Sequence, residues 1–313
     1  MSEQAPARLH IAIAAKGACT LAACLDALAA GSRGVDFAIT VHIAHDQPVD
    51  ISGFVNGNHG FSFSPDEMDA GLIHLQTTRC PESTSILKLW GTAIANAAAD
   101  YVAVIDSNCP PADEWLGTVA RHIEQGIPLF YGSVEPGWAL DSHDSIGYLI
   151  EYAQFKSPVD CESEFPGNNI VFKTELLGPR GALVSEGFFK TFMLWRLKER
   201  NMLPVYCDGM PVIYRKQFEF FHYLKRRLQH GRCFGGCRLK QQNQPPRLVC
   251  ILFTPALFLL RTLRIYNWIK AKPGLVDAFV RHLPIILCSE IAWSYGEFLG
   301  YSFGEGEACQ YLD

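Results

Sequence analysis

Apolar positions along this chain fall into short runs of two kinds. Leu9 to Ala14, Ile39 to Ala44 and Tyr101-Val102-Ala103-Val104-Ile105 are almost continuously apolar over five or six residues. Runs of that length without alternation predict strands covered on both faces, the habit of a central parallel sheet. Between them, Ala18 to Ala30 and the small-residue stretch from Ser85 (Gly91, Ala93, Ala95, Ala97, Ala98, Ala99) predict helices. Further on, Phe165-Pro166-Gly167-Asn168-Asn169 predicts a turn before a strand Ile170-Val171-Phe172, and Gly187 to Asn201 a helix. His222, Arg226 and His230 stand at i, i+4 and i+8, one face of another helix. Leu248 to Leu260 is apolar except at Thr254 and Pro255, and Leu275, Phe279, Leu283, Ile286 and Leu287 mark an amphipathic helix within Leu275 to Tyr301. Strands alternating with helices, followed by helices alone, imply an α/β fold with a helical C-terminal appendage.

The strand ending at Ile105 runs into Asp106-Ser107-Asn108. Ligands of open α/β sheets bind beyond the carboxyl ends of the strands, where Asp106 and Asn108, two apart, can point the same way. A carboxylate there either holds a ribose or a hard cation through oxygen, or caps the turn toward Pro110-Pro111. Asp46 closes the second strand in the same manner, as a ligand residue or as simple turn chemistry.

These segments, taken in order, resemble the inverting, GT-A-fold glycosyltransferases of family 2: His10 to Ala29, Ile39 to Asp46, the Asp106-Ser107-Asn108 tip, Tyr148 to Tyr152, Pro166 to Asn169, Gly187 to Asn201 and Gln229-His230-Gly231-Arg232. The resemblance covers most of the chain. It implies a GT-A-like, Rossmann-related, mostly parallel sheet flanked by helices. It further implies transfer of a sugar, with inversion, from a nucleotide-sugar donor to a lipid-linked or glycan acceptor near a membrane, in envelope glycan or glycolipid assembly. In the family an Asp-x-Asp motif holds a divalent cation, so Asp106 and Asn108 become the expected Mg²⁺ or Mn²⁺ ligands. The expected donor-binding residues are Ala14, Lys16, Asp46, Asp106, Asn108, Arg226 and Arg232, with the turn Ala15-Lys16-Gly17-Ala18 offering backbone groups to the base or ribose. Gly167, Asn168 and Asn169 become an acceptor- or sugar-facing loop, which plain turn chemistry would also select.

Three positions depart from the family pattern. Asn108 is neutral where the metal is usually chelated. Trp90 stands where a basic residue would serve the diphosphate. Lys190 falls in the register of the catalytic base, leaving the neighbouring Glu186 as the expected base, or as the i, i+4 salt-bridge partner of Lys190 on one helix. The same departures fit a second reading, a non-catalytic GT-A-like module that binds a nucleotide-sugar or a partner. A nucleotidyltransferase is disfavoured because the glycine-rich, basic phosphate loop expected near its N-terminus is missing.

Charge changes the picture of the C-terminal third. The chain is 313 residues long with a net charge of −5, yet residues 215–281 hold 14 Lys/Arg and 2 Asp/Glu. Such asymmetry marks an anionic partner. An apolar run flanked by Arg247, Arg261, Arg264, Lys270 and Lys272 suits an anionic membrane surface rather than a nucleic acid. The thirteen residues of that run fall short of the ~20 needed to span a bilayer. The sequence therefore predicts a GT-A-like domain over 1–245 and a membrane-association segment over 246–313, divided at Pro245-Pro246 and held on the cytoplasmic face as a peripheral or monotopic protein. The bland alternative is a buried helix with a solvated basic face. No basic region followed by an apolar core opens the chain, so no cleavable signal peptide is expected. Eleven scattered cysteines without a Cys-x-x-Cys pair suggest free thiols in a reducing cytoplasm, and the spacing of Cys233 and Cys237 disfavours zinc.

Overall fold

The computed structural model describes residues 8–16, 21–51, 54, 61–62, 73–159 and 164–312. The chain divides into two compact units, one of Met1–Glu135 with Phe155–Arg215 and one of Pro136–Gln154 with Lys216–Asp313. Pro245-Pro246, expected as the division, lies inside the second of these units. That pair turns the chain between two helices of the second unit, which also takes an earlier segment.

An eight-stranded sheet organises the first unit. Its strands are β1 (Leu9–Ala15), β2 (Ile39–His45), β3 (Phe61–Ser62), β4 (Ile73–Arg79), β5 (Tyr101–Asp106), β6 (Leu129–Tyr131), β8 (Asn169–Lys173) and β9 (Val205–Tyr206), in the order β3-β4-β2-β1-β5-β8-β6-β9. β7 (Val134–Pro136) and β10 (Val212–Tyr214) form a separate two-stranded sheet. From β3 to β5 every pairing is parallel, and β8 enters antiparallel between β5 and β6. All seven residues of β1 and of β2 are buried, which is why these strands read as mostly apolar runs without alternation. α1 (Leu21–Ser32) connects β1 to β2, and α2 (Ile86–Ala95) carries the chain from β4 across to β5 on the far side of β1. Ser85 begins α2 by accepting the Lys88 N–H on its hydroxyl at 3.4 Å. Among the described residues, α3 (Trp115–Glu124), α5 (Arg180–Glu186) and α6 (Lys190–Glu199) are further helices of this unit. The helix expected over Gly187 to Asn201 is shorter, because Gly187 at φ +92° ends α5 and turns the chain before α6.

Four helices make the second unit: α4 (Ser145–Glu151), α7 (Phe220–Arg238), α8 (Arg247–Ile269) and α9 (Leu275–Phe303). Gly231 and Gly235 on α7 meet Gly296 and Gly300 on α9, where a Cβ at any of them would collide with the backbone of the other helix. Around this close crossing the interior is polar, and its charges are paired. Arg227 donates to Glu290 at 2.6 Å, Arg261 donates to the other oxygen of Glu290, and both guanidinium groups lie over the Trp293 ring at 4.2 and 4.3 Å. Burial pushes the Glu290 carboxyl up, and the two arginines outweigh it and hold the group below its ordinary range.

α8 corrects the length argument made from sequence. It runs for 23 residues and is long and apolar enough to cross a membrane, by length and composition alone. Arg261, which seemed to end the apolar run, is turned inward to Glu290, so Leu248, Leu252, Phe253, Leu259, Leu260, Leu263 and Tyr266 form an exposed strip along the helix. Pro255 lacks the N–H that the Ile251 carbonyl would receive, and the Thr254 hydroxyl donates to that carbonyl at 2.7 Å.

The cysteine expectation also changes. Gly236 lets the backbone of Glu305 approach α7, and the segment after α9 folds down so that Cys233 is disulfide-bonded to Cys309.

Candidate functional site

The order of the sheet determines where a ligand would sit. Successive crossovers place β2 on one side of β1 and β5 on the other, so the crevice between diverging connections opens at the carboxyl ends of β1 and β5. Ala14 is in direct register with Asp106, and the Ser107 N–H donates to the Ala14 carbonyl at 3.4 Å. Asp46 follows His45, the last residue of β2, which is in register with Ala15. Asp46 and Asp106 thus close strands on the same edge, either side of β1 and about 10 Å apart at ordinary strand spacing.

Each of these residues is held by its surroundings. Asp106 accepts the Asn108 N–H on Oδ1 at 2.9 Å and the Asn108 side-chain amide at 3.4 Å, a turn closure that fixes the carboxylate. Among the described residues its Oδ2 has no hydrogen-bond partner. The Asn108 carbonyl accepts from the Arg215 N–H at 2.9 Å. Asp46 is buried at 3% exposure beside the Cys80 thiol, whose pKa is raised by burial, with the Asp46 charge contributing. The Cys80 N–H donates to the His45 carbonyl at 2.7 Å and closes the loop leaving β4 against the end of β2. Ala14 is fully buried, so only its backbone is offered. Lys16 reaches across the edge to donate to the Thr84 carbonyl at 3.0 Å, just ahead of α2. Gly17 and Ala18, expected in the same turn, lie outside the described residues.

The loop expected to face a sugar divides. Asn169 is the first residue of β8, paired with Ile105, and its side chain points into the core. It accepts from the Trp115 indole at 2.9 Å and donates to the carbonyls of Ser133 and Met210, each at 2.8 Å. Asn169 is therefore structural, because strand pairing begins one residue earlier than the turn motif suggested. Asn168 stands opposite Asp106 by continuation of the register. It donates to Cys109 Sγ at 3.0 Å, while its own Oδ1 is buried with no hydrogen-bond partner among the described residues. Gly167 lies under the aliphatic chain of Lys190. Asp106, Asn108 and Asn168 supply oxygen donors, the type a hard divalent cation selects, and carry one formal charge between them. The residues fit such a cation by chemistry.

The three departures have structural explanations. Trp90 donates its indole N–H to the Ile105 carbonyl at 3.1 Å and so braces the end of β5. Lys190 donates to the Phe165 carbonyl at 3.2 Å, with its ammonium 5.3 Å from the centre of the Phe155 ring, and pins the turn that leads to β8. Glu186 is the last residue of α5, while Lys190 begins α6, so the two do not share one helix face. α5 lies antiparallel to α2, with Leu183 at Gly91 and Gly187 at Leu87. A Cβ on Gly91 would overlap the Leu183 carbonyl, which makes the contact backbone to backbone. Glu186 consequently emerges, exposed, level with the first turn of α2, and that turn begins at the carboxyl edge of the sheet.

Arg226 and Arg232, expected to clamp a diphosphate, both have partners within the second unit. Arg226 donates to Glu151 at 2.8 Å beside the Tyr223 hydroxyl, which donates to the same oxygen, and its guanidinium is buried over the Tyr223 ring. Arg232 donates to the Gly304 carbonyl at 3.2 Å. Arg226 is buried within the second unit, and Arg232, partly exposed, is bonded to the backbone that follows α9. Sequence reading missed Cys109, Trp115 and the Ser133 and Met210 carbonyls, since each meets its partner only through the fold. Only Cys109, one residue past Asn108, carried a local signal.

Comparison with known proteins bears on the fold. No protein-family model and no curated protein matches the sequence. Among solved structures, the chain is similar to a mannosyltransferase, PcManGT from Pyrobaculum calidifontis, solved with GDP-Man and Mn²⁺. That match has a TM-score of 0.50 at 13% identity, over 96% of this chain and 90% of the other. TarS from S. aureus (1–349) also matches, with a TM-score of 0.45 at 13% identity, over 95% of this chain and 92% of the other. The chain has a GT-A-like glycosyltransferase fold, a mostly parallel α/β sheet flanked by helices with a helical C-terminal region.

Proposed function

We propose that this protein is a glycosyltransferase that moves a sugar, with inversion, from a nucleotide-sugar donor to a lipid-linked or glycan acceptor at an anionic membrane surface. The observation that carries the proposal is the shared edge of Asp46, Asp106 and Asn108 at the crevice of β1 and β5, with Glu186 exposed at the same level. Asp46 and Asp106 bind and orient the nucleoside part of the donor, and the backbone of Ala14 and Lys16 lines the floor. A divalent cation, when bound through Asp106 and Asn108, neutralises the donor diphosphate; the solved complex of PcManGT with GDP-Man and Mn²⁺ is a precedent in a similar fold. Glu186 takes the proton of the acceptor hydroxyl as that oxygen attacks the anomeric carbon opposite the departing diphosphate. A positioned base of this kind contributes about 10²- to 10⁴-fold.

The exposed apolar strip of α8, with Arg264 and Lys270 beside it, supports a peripheral or monotopic attachment to the cytoplasmic face. α8 is packed along α9, whose Asp277, Arg281 and Glu290 would accompany it into a bilayer at high cost, which favours lying in the interface over crossing it.

A second reading has its own observation. Trp90 and Lys190 are spent on structural hydrogen bonds, as expected of a module that binds a nucleotide-sugar without turning it over. The test is a panel of UDP-, GDP- and TDP-sugars, with and without Mn²⁺, followed by thermal shift and by nucleotide release in the presence of anionic vesicles. Release that Glu186→Gln abolishes while stabilisation persists supports the enzyme; stabilisation without release in the wild type supports the module; neither effect sinks both.

A further inference from the structure

Cys233 and Cys237 lie one turn apart on the same face of α7, and the short turn of 3-10 helix at Ala308–Tyr311 brings Cys309 onto them. The sulfur atoms of all three lie within 4.8 Å of one another. Cys309 is bonded to Cys233, and Cys237 Sγ is 3.8 Å from Cys309 Sγ, in van der Waals contact. Cys233 is fully buried, whereas Cys237 and Cys309 are partly exposed. The chain after α9 is held down independently of the sulfurs, by Arg232 on the Gly304 carbonyl, by the Lys240–Glu305 ion pair and by burial of Ala308 and Leu312. Cys309 is therefore kept beside both α7 cysteines whichever of them it bonds.

We propose that Cys233, Cys237 and Cys309 form a thiol–disulfide exchange site whose co-reactant is a small thiol of the glutathione class. The Cys237 thiolate attacks Cys309 Sγ; the Cys309–Cys233 bond breaks, and Cys233 leaves with the electron pair and takes up the proton that Cys237 gave away. No net oxidation occurs in that step. It moves the disulfide from a buried position to an accessible one, Cys237–Cys309. Two molecules of the small thiol then reduce this pair through a mixed disulfide and leave as their own disulfide, so electrons balance. The rate of such exchange depends on access to the attacked sulfur, which separates the two pairings.

The test uses the full-length protein equilibrated with oxidised or reduced glutathione, quenched by alkylation and digested with trypsin. Fragmentation of the peptide Cys233–Arg238, which carries both α7 cysteines, tells which one is bonded to Cys309. Both pairings are expected in the oxidised wild type, and Cys233→Ser is expected to form Cys237–Cys309 in full while keeping the wild-type circular dichroism. Cys237→Ser is expected to retain Cys233–Cys309 and to lose it to reduced glutathione at least about tenfold more slowly than wild type. Three results overturn the proposal: equal reduction rates in wild type and Cys237→Ser, a folded Cys233→Ser whose Cys237 and Cys309 both remain alkylatable after oxidation, or a wild-type protein in which one bound metal ion shields all three thiols.

Discussion

Asn169 illustrates how one position can invert an interpretation. The Pro166-Gly167-Asn168-Asn169 motif invites a ligand loop, yet the side chains alternate as soon as β8 begins, and Asn169 falls on the inner face with three hydrogen bonds. Trp115→Phe removes the donor to its Oδ1 and leaves a buried amide oxygen unpaired, which costs about 1–3 kcal/mol. Urea unfolding checks this; an unchanged midpoint would mean that a water replaces the indole. His10 and His42 make a second case. Both are buried in the sheet, 5.7 Å apart between ring centres, and burial, joined for His10 by the charge of His42, lowers each pKa to about 4. Unfolded histidines titrate near 6.5. Between pH 6.5 and about 4 the unfolded chain therefore holds more protons, so their contribution to stability is intact above 6.5 and is lost as pH falls. The loss is about 1.4 kcal/mol per pH unit for each histidine and levels off below about pH 4. The fall in urea midpoint from pH 7 to pH 5 is expected to be smaller in His42→Gln than in wild type; equal falls would show that His42 is charged in the fold.

Helices and strands differed in how far the sequence exposed them. β1, β2 and β5 were legible because a strand covered on both faces is apolar at most positions without alternation, and the α7 face of His222, Arg226 and His230 was legible because its period is helical. What those faces touch was not. Arg226, read as a diphosphate clamp, pairs with Glu151, which lies 75 residues earlier in the chain. Arg261, read as the end of an apolar run, turns to Glu290 and leaves α8 apolar on its outer side along its length. That strip carries the membrane proposal, and Leu252 and Phe253, at 69% and 65% exposure, are two of its most exposed residues. Replacing both with Glu is expected to abolish flotation with vesicles containing anionic lipid, whereas wild-type binding weakens as salt rises. Flotation that survives the double substitution would remove α8 from the attachment. Replacing Glu290 with Gln is expected to cost about 3–5 kcal/mol, since Arg227 and Arg261 would lose their shared carboxylate. A melting temperature within a degree of wild type would contradict that.

For the whole molecule, the sheet and the edge that carries Asp46 and Asp106 were legible in the sequence, while the division into units was not. The proline pair at 245–246 looks like a linker, but α7 ahead of it and α9 after it are joined by glycine-to-glycine contact that no local pattern reveals. The Cys233–Cys309 bond, 76 residues apart, was hidden for the same reason. The candidate site depends least on such long-range detail, because strand ends at a crossover point are set by topology. The most direct test is the binding of a nucleotide-sugar panel to wild type and to Asp106→Ala, followed by thermal shift with and without Mn²⁺. At least one donor is expected to raise the wild-type melting temperature, and Asp106→Ala is expected to keep its own unliganded melting temperature near that of wild type while losing the whole donor-dependent rise. An equal rise in both proteins would place the nucleotide away from Asp106 and contradict the assignment of the site.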